Sequence, residues 1–156
     1  MRVGLGVDAH AFDESRPLVL GGVPIAESWG LEGHSDADVL SHAIADALLG
    51  ATGLSDLGTS FPNDERWRDA SSLTILEEVA RVIAEAGWSI ANVDATVIAE
   101  RPRLTPYRDG MVDAVARALG VDRSDVWVKA TTSDGLGFIG RSEGIAAIAV
   151  VLVERP

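Results

Sequence analysis

The chain has 156 residues, enough for one compact domain with a hydrophobic core of its own. With 13 Lys plus Arg against 24 Asp plus Glu, its formal charge of −11 argues against a basic face for nucleic acid or anionic membrane, so any bound phosphate must be held by local groups. Having no cysteine, it is excluded from disulfides, thiolate catalysis and Cys-ligated zinc, and any metal falls to His, Asp and Glu.

In chain order, Arg2 to Asp8 reads as a strand and "LVLGGVPI" as a short hairpin turning at Gly21-Gly22. A helix is expected from Asp36 to Leu49, with Ser35 as cap, Asp38 in the capping-box position and Gly50 near its end. The polar segment "ATGLSDLGTSFPNDERWRDA" has no period and is long for a plain connection, which marks it as a candidate active-site loop. Ser72 to Ala86 is a second helix, its stripe Leu73, Leu76, Val79, Ala80 and Ile83 facing a sheet. "SIANVDATVIA" is a strand; "TPYRDGMVDAVARALG" is a helix with Thr105 as cap, Pro106 at its first position and Gly120 at its end. "DVWVKAT" and "EGIAAIAVVLV" supply the last strands. The longest apolar run, Ile145 to Val153, is far below the roughly 20 residues of a membrane span, and no charged-then-apolar leader is present, so a soluble, cytoplasmic protein is expected. No repeat or linker divides residues 1–156, which read as a single domain. The expected fold is α+β: a two-layer sandwich with helices on one face of a mixed sheet. The last strand does not alternate, so the sheet's other face is apolar as well, and subunit association would cover it.

The three histidines, His10, His34 and His42, all fall in the first third beside Asp8, Asp36, Asp38 and Asp46. Asp8 and His10 are two apart on a strand and share a face; His42, in mid-helix, can close a three-ligand site with an open fourth position, the arrangement of a catalytic zinc ion. Asp38 and Asp46, one turn before and after His42, are candidates to orient its ring. His34, just outside the helix and roughly 12 Å from His42 along its axis, is unlikely to share that metal. With Ser35 it suits an anion at the helix N-terminus. Any one of these histidines alone would read as an ordinary core or surface residue. "GLGFIG", Gly135 to Gly140, matches G-x-G-x-x-G but leads into a strand, so a dinucleotide site is rejected. "KATTSD", Lys129 to Asp134, has the hydroxyls, N–H groups and carboxylate for a phosphate with a second hard cation, although such a cluster is also an ordinary polar turn.

Taken together, "GVDAHAF", "GGVPI", "GHSDADVLSHAIADALLGA", "DLGTSFPNDE", "VDATVIAERPRLTPYRDGM" and "VWVKATTSDGLGFIGRSEGIAAIAVVLV" resemble the 2-C-methyl-D-erythritol 2,4-cyclodiphosphate synthase family, in order and along essentially the whole chain. The D-x-H followed by H-S-D-x-D and a helical His is its most specific part. The resemblance implies an enzyme of the non-mevalonate isoprenoid pathway. Such an enzyme converts 4-diphosphocytidyl-2-C-methyl-D-erythritol 2-phosphate to the cyclic diphosphate with release of CMP, the substrate's 2-phosphate attacking its own β-phosphorus. It implies zinc on Asp8, His10 and His42, one ion per subunit, and a second divalent ion, Mg2+ or Mn2+, with Asp134 as a ligand. His34 and Thr132 match residues that stabilise the transition state, and Ser35 a phosphate contact. Asp56, Leu57 and Gly58, with Phe61, Pro62, Asn63, Asp64 and Glu65, match the part that binds the methylerythritol end. Ala99, Glu100, Arg101, Pro102, Arg103, Leu104 and Thr105, with Thr131, Thr132, Ser133 and Asp134, match the cytidine and diphosphate pocket reached from a neighbouring subunit. A homotrimer joined through the sheets is implied, with active sites at the interfaces and with Phe138 and Arg141 beside an axial cavity able to hold an isoprenoid diphosphate. An Arg141 salt bridge with Glu143 is the competing reading there. Asp134 stands where Glu is common, Ser133 where Thr is common and Arg103 where Lys is common. The shorter Asp134 puts the second metal's position in question. The competing functions are a zinc phosphohydrolase that activates water, and a noncatalytic trimeric module with a structural metal.

Overall fold

The computed structural model describes residues 1–155. Its main sheet is built on β7 (Gly144–Glu154), the apolar C-terminal run, which pairs antiparallel with β1 (Arg2–Asp13) on one side and β5 (Ser89–Ile98) on the other. The two-residue strand β4 (Gly30–Leu31) adds beyond β1, and β6 (Val126–Thr131) lies parallel to β5, giving the order β4-β1-β7-β5-β6. That one parallel pair is joined by a helical crossover, as parallel strands require. The predicted hairpin is a separate ribbon of β2 (Leu18–Leu20) and β3 (Val23–Ile25), turning through Gly21 and Gly22, whose φ values of 56° and 73° suit glycine.

Helices α1 (Val39–Thr52), α3 (Ser72–Glu85) and α4 (Arg108–Leu119) all cover one face of the sheet, α1 on β1 and β7, α4 beside β6, and α3 bridging the two helices. Toward them β7 points Ile145, Ala147, Ala149, Val151 and Val153, all fully buried, and β5 points Val93, Ala95 and Val97. None of these three helices covers the opposite face. Val3, Leu5 and Val7 of β1 stand there 59–68% exposed beside Ile148 and Val150 of β7. The expected layering is therefore observed; the second face is apolar along β1 and β7, whereas on β5 and β6 it carries the Asp94–Lys129 ion pair. Among the described residues, no helix is long and apolar enough to cross a membrane.

Several boundaries differ from the sequence reading. β1 does not stop at Asp8 but continues to Asp13, because β7 supplies pairing partners as far as Ala11 and β4 takes over at Phe12. α1 begins at Val39, not Asp36, and its cap is Asp38 in place of Ser35. The Asp38 carboxylate accepts from Ser41 N–H (3.1 Å) and the Ser41 hydroxyl (2.8 Å), and also from the N–H groups of Gly21 (2.9 Å) and Gly22 (2.7 Å), which ties the hairpin to the start of the helix. Ala37, at φ 56°, breaks the helical path just before it, and Gly53 at φ 70°, not Gly50, ends the helix. The Thr105–Tyr107 turn is 3-10, so the α-helix starts only at Arg108, while Gly120 ends it as expected. The polar 51–70 segment contains a single turn of helix, α2 (Leu57–Ser60), capped by Asp56. Gly135 to Gly140 forms the short helix α5 (Gly137–Gly140), as unsuited to a dinucleotide as the sequence implied.

Candidate active site and metal centre

The site begins with two glycines. Gly4 and Gly6 lie on the face of β1 that carries Asp8 and His10, and a Cβ on either would run into the α1 backbone, at the carbonyls of Ala47 and Ala43 respectively. With Ala43, Ala47 and Ala51 one turn apart along α1, helix and strand meet backbone to backbone. The same face then delivers Asp8 and His10 opposite the first turn of α1, where His42 sits. His10 Nε2 is 2.8 Å from Asp8 Oδ2, His42 Nδ1 is 3.1 Å from the same oxygen, and the two ring nitrogens are 3.3 Å apart. Among the described residues this is the group of carboxylate and imidazole side chains gathered closely enough to share one ion.

The charges of the group reinforce one another. Burial opposes the Asp8 carboxylate, yet hydrogen bonds and charge from His10 and His42 bring its pKa well below 3.8 on balance. Burial likewise opposes a charged His10, but Asp8 and the Glu32 carbonyl raise it above 6.5. That carbonyl meets His10 Nδ1 at 2.5 Å; a carbonyl only accepts, so a hydrogen sits on Nδ1, while Nε2 donates to Asp8 in the charged ring and offers a lone pair to an ion in the neutral one. The donor set is two imidazole nitrogens and one carboxylate oxygen with no thiolate, which fits a divalent ion of the zinc type.

Asp38 and Asp46 do not orient His42 as the sequence suggested. Asp38 is spent on Ser41 and the hairpin, and Asp46 accepts from Leu57 N–H at 3.2 Å. Instead His42 Nε2 lies 3.1 Å from the Ser35 hydroxyl and 2.9 Å from that of Ser72. Ser72 was missed because it is remote in sequence; its only local signal is a small polar residue opening a helix. Arg16 was missed as well. It donates to the carbonyls of Gly33 and Ser35, while Asp69 N–H donates to that of His34 (2.9 Å), so three successive carbonyls of the His34 segment are engaged from behind.

A cleft of about 250 Å³ brings Asp8, His10 and His42 together with His34 and Ser35. Leu57, Gly58, Phe61 and Asn63 of the suspected loop form its wall, with Trp67 and Ile75 behind. His34 stays outside the three-ligand group, but not through helical rise, since α1 begins only at Val39; its Nε2–H donates to the Asp64 carbonyl (2.5 Å). Asp56, Pro62, Asp64 and Glu65 do not line this cleft: Asp56 caps α2 and Glu65 pairs with Arg68 at the surface. Ser35 is turned toward His42, not outward.

A second cleft, of about 270 Å³, gathers Ala99, Glu100, Pro102, Arg103, Leu104, Thr105, Thr131 and Thr132, and it shares no residue with the first. Glu100 accepts from Ser133 N–H (3.0 Å), the Ser133 hydroxyl (2.9 Å) and Gly135 N–H (3.2 Å), which fixes the turn after β6 and holds the Glu100 pKa below its usual value. Thr132 donates to Asp134 at 3.1 Å. Arg101 points elsewhere, over the rings of Phe12 and Trp29. Asp134 does not join the metal group within one chain. Phe138 is exposed on α5, and Arg141 pairs with Glu143 at 2.8 Å.

A profile of the YgbB family matches residues 1–154. The 2-C-methyl-D-erythritol 2,4-cyclodiphosphate synthase of Rubrobacter xylanophilus is 59% identical, over 99% of this chain and 95% of its own. That of Syntrophomonas wolfei is 54% identical over 99% of both chains. Among solved structures, IspF of Plasmodium falciparum in complex with CDP is 34% identical with a TM-score of 0.86, covering 99% of this chain and 96% of its own. A CDP-bound 2C-methyl-D-erythritol-2,4-cyclodiphosphate synthase is 36% identical with a TM-score of 0.89, over 98% of this chain and all of its own.

Proposed function

The chain belongs to the YgbB family, and we propose that it converts 4-diphosphocytidyl-2-C-methyl-D-erythritol 2-phosphate to 2-C-methyl-D-erythritol 2,4-cyclodiphosphate with release of CMP. It is then a phosphorus–oxygen lyase of the non-mevalonate isoprenoid pathway, acting in the cytoplasm as a single synthase domain. The observation that carries this reading is the meeting of Asp8, His10 and His42 with His34 in one cleft walled by the Leu57 to Asn63 loop.

In the reaction, an oxygen of the substrate's 2-phosphate bonds to the β-phosphorus. The bond from that phosphorus to the bridging oxygen breaks, and CMP carries the oxygen away. No residue serves as nucleophile, so the protein's task is positioning and charge. When bound, zinc on Asp8, His10 and His42, with a second divalent ion, Mg2+ or Mn2+, for which Asp134 is the candidate ligand, would neutralise phosphate charge and act as Lewis acid and template. His34, and Thr132 from the second cleft, are the residues that stabilise phosphate charge as it shifts from the attacking to the leaving group. The loop from Asp56 to Glu65 takes the methylerythritol end, and Ala99 to Thr105 with Thr131 to Asp134 take the cytidine and diphosphate.

The two clefts share no residue, which supports a reading in which the second cleft reaches the first from another copy of the chain. The uncovered apolar face of β1 and β7 supports a homotrimer joined through its sheets, with Phe138 and Arg141 toward an axial isoprenoid-diphosphate cavity. The CDP bound by the Plasmodium falciparum relative supports a cytidine diphosphate ligand. Phosphorus NMR of the metal-loaded protein with the cytidyl substrate tests the activity: CMP and a cyclic diphosphate are expected. CMP with a linear phosphate product would make it a phosphohydrolase instead, and absence of turnover would reject both.

A further inference from the structure

Behind the metal cleft a polar chain links three segments remote in sequence. Asp36, in the turn before α1, accepts from Ser72 N–H at 2.8 Å and, through Oδ1, from the Ser72 hydroxyl. Its own N–H donates to the Ala70 carbonyl (3.1 Å), and Oδ1 also accepts from Asp38 N–H (3.2 Å), so the carboxylate is held from both sides. Ser72 opens α3 with no exposed surface, and its Oγ is 2.9 Å from His42 Nε2.

We propose that Asp36 and Ser72 are positioning residues of the metal centre, which hold His42 in the tautomer that turns the Nδ1 lone pair toward the ion. The proposal rests on the assignment of Asp8, His10 and His42 as metal ligands. Its logic is a count of hydrogens. A carboxylate only accepts, so the single hydrogen of the Ser72 hydroxyl goes to Asp36, and the serine oxygen meets His42 with a lone pair. The hydrogen between Ser72 and His42 must then sit on Nε2, which leaves Nδ1 bare in the neutral ring. Ser35 does not compete, because its only other partner is Ala37 N–H at 3.4 Å, and nothing directs its own hydrogen. His10 is set the same way by the Glu32 carbonyl, so once an ion replaces the hydrogens that the two rings share with Asp8, Asp8 and both histidines turn lone pairs to one point. The difference is that the lock on His10 is backbone, whereas the lock on His42 consists of two side chains. Ligand imidazoles depend on such partners for both orientation and basicity.

The test uses the full chain, metal-stripped and labelled with 15N histidine. Long-range proton–nitrogen correlation above the titration range of histidine should place the His42 hydrogen on Nε2; a hydrogen on Nδ1 overturns the proposal whatever the variants do. In Ser72→Ala and Asp36→Asn, affinity for zinc or cobalt(II), measured by chelator competition, should fall about 10- to 100-fold with the fold retained. Ser72→Thr, which keeps the hydroxyl, should recover most of that loss. Unchanged affinity in both of the first two variants overturns the proposal. So does an equal loss in folded Ser72→Thr, which would make the role one of packing. Where a variant does not fold, the wild-type tautomer decides. Neither readout involves turnover, so tight metal binding without cyclic product would sink the synthase reading and leave this one standing.

Discussion

At Asp8, desolvation and hydrogen bonding act in opposite directions, and the hydrogen bonds of two histidines win. In the metal-stripped protein this has a definite sign. The depressed Asp8 pKa contributes stability that is present above 3.8 and lost only as the pH falls through its lower folded value. The raised His10 pKa contributes stability that is full below 6.5 and lost as the pH rises through its higher folded value. Both contributions are intact between those limits, so urea midpoints of metal-stripped protein should decline as the pH rises beyond 6.5. Asp8→Asn should flatten that decline; an unchanged slope would show that the pair does not control it. His42 and His34 separate by metal content. His42→Ala should lose zinc and nearly all turnover while staying folded, and His34→Ala should keep zinc with turnover reduced. Retained turnover without metal in the first, or metal loss in the second, would refute the division of labour. The D-x-H pair was legible because strand residues two apart share a face. The helical rise expected between His34 and His42 does not apply, because α1 begins at Val39. The partners of His42 were not legible, since Ser72 reaches it from 30 positions away.

The decisive element-scale fact is how closely α1 lies on β1. The alternation Gly4, Gly6, Asp8, His10 puts two missing side chains directly ahead of two ligands, and Ala43, Ala47 and Ala51 keep the facing helix equally bare. Gly6→Ala would place a methyl group against the Ala43 carbonyl, and overpacking of this kind costs about 1–3 kcal/mol. Because the same shift lifts His42 away from Asp8, the variant should also bind zinc more weakly. A stability loss with unchanged affinity would show that helix and ligand move independently. Helix and strand identities followed from periodicity, but the start of α1 did not. Asp36 and Asp38 each take backbone N–H groups for their carboxylates, and this holds residues 36–38 out of the helix despite a favourable capping pattern.

At the scale of the molecule, the main sheet is covered on one face, and its other face is apolar along β1 and β7. Val3, Leu5 and Val7, with Ile148 and Val150 across the ladder, form a continuous uncovered strip. If the proposed trimer closes over it, Leu5→Lys should yield a folded monomer by sedimentation. Turnover should be lost while zinc stays bound, because the metal cleft is built within one chain and Thr132 would come from another. A wild-type monomer, or a variant that remains trimeric and active, would reject that assembly. The apolar run of β7 already implied a second buried face, since a strand apolar at every position has no side suited to water.

By itself the sequence determined the main strands and helices, the layering and the grouping of Asp8, His10 and His42, because these depend on spacings of two and about four residues that local geometry converts directly into shared faces. It also determined the likeness to a synthase family, through motifs distributed along the whole chain. Only the tertiary structure decided which groups contact His42, and that the residues of the first and last thirds of the chain divide between two clefts. Those outcomes depend on where Ser72, Arg16 and the turn after β6 come to rest, which is set by packing between segments distant in the chain and not by any local period.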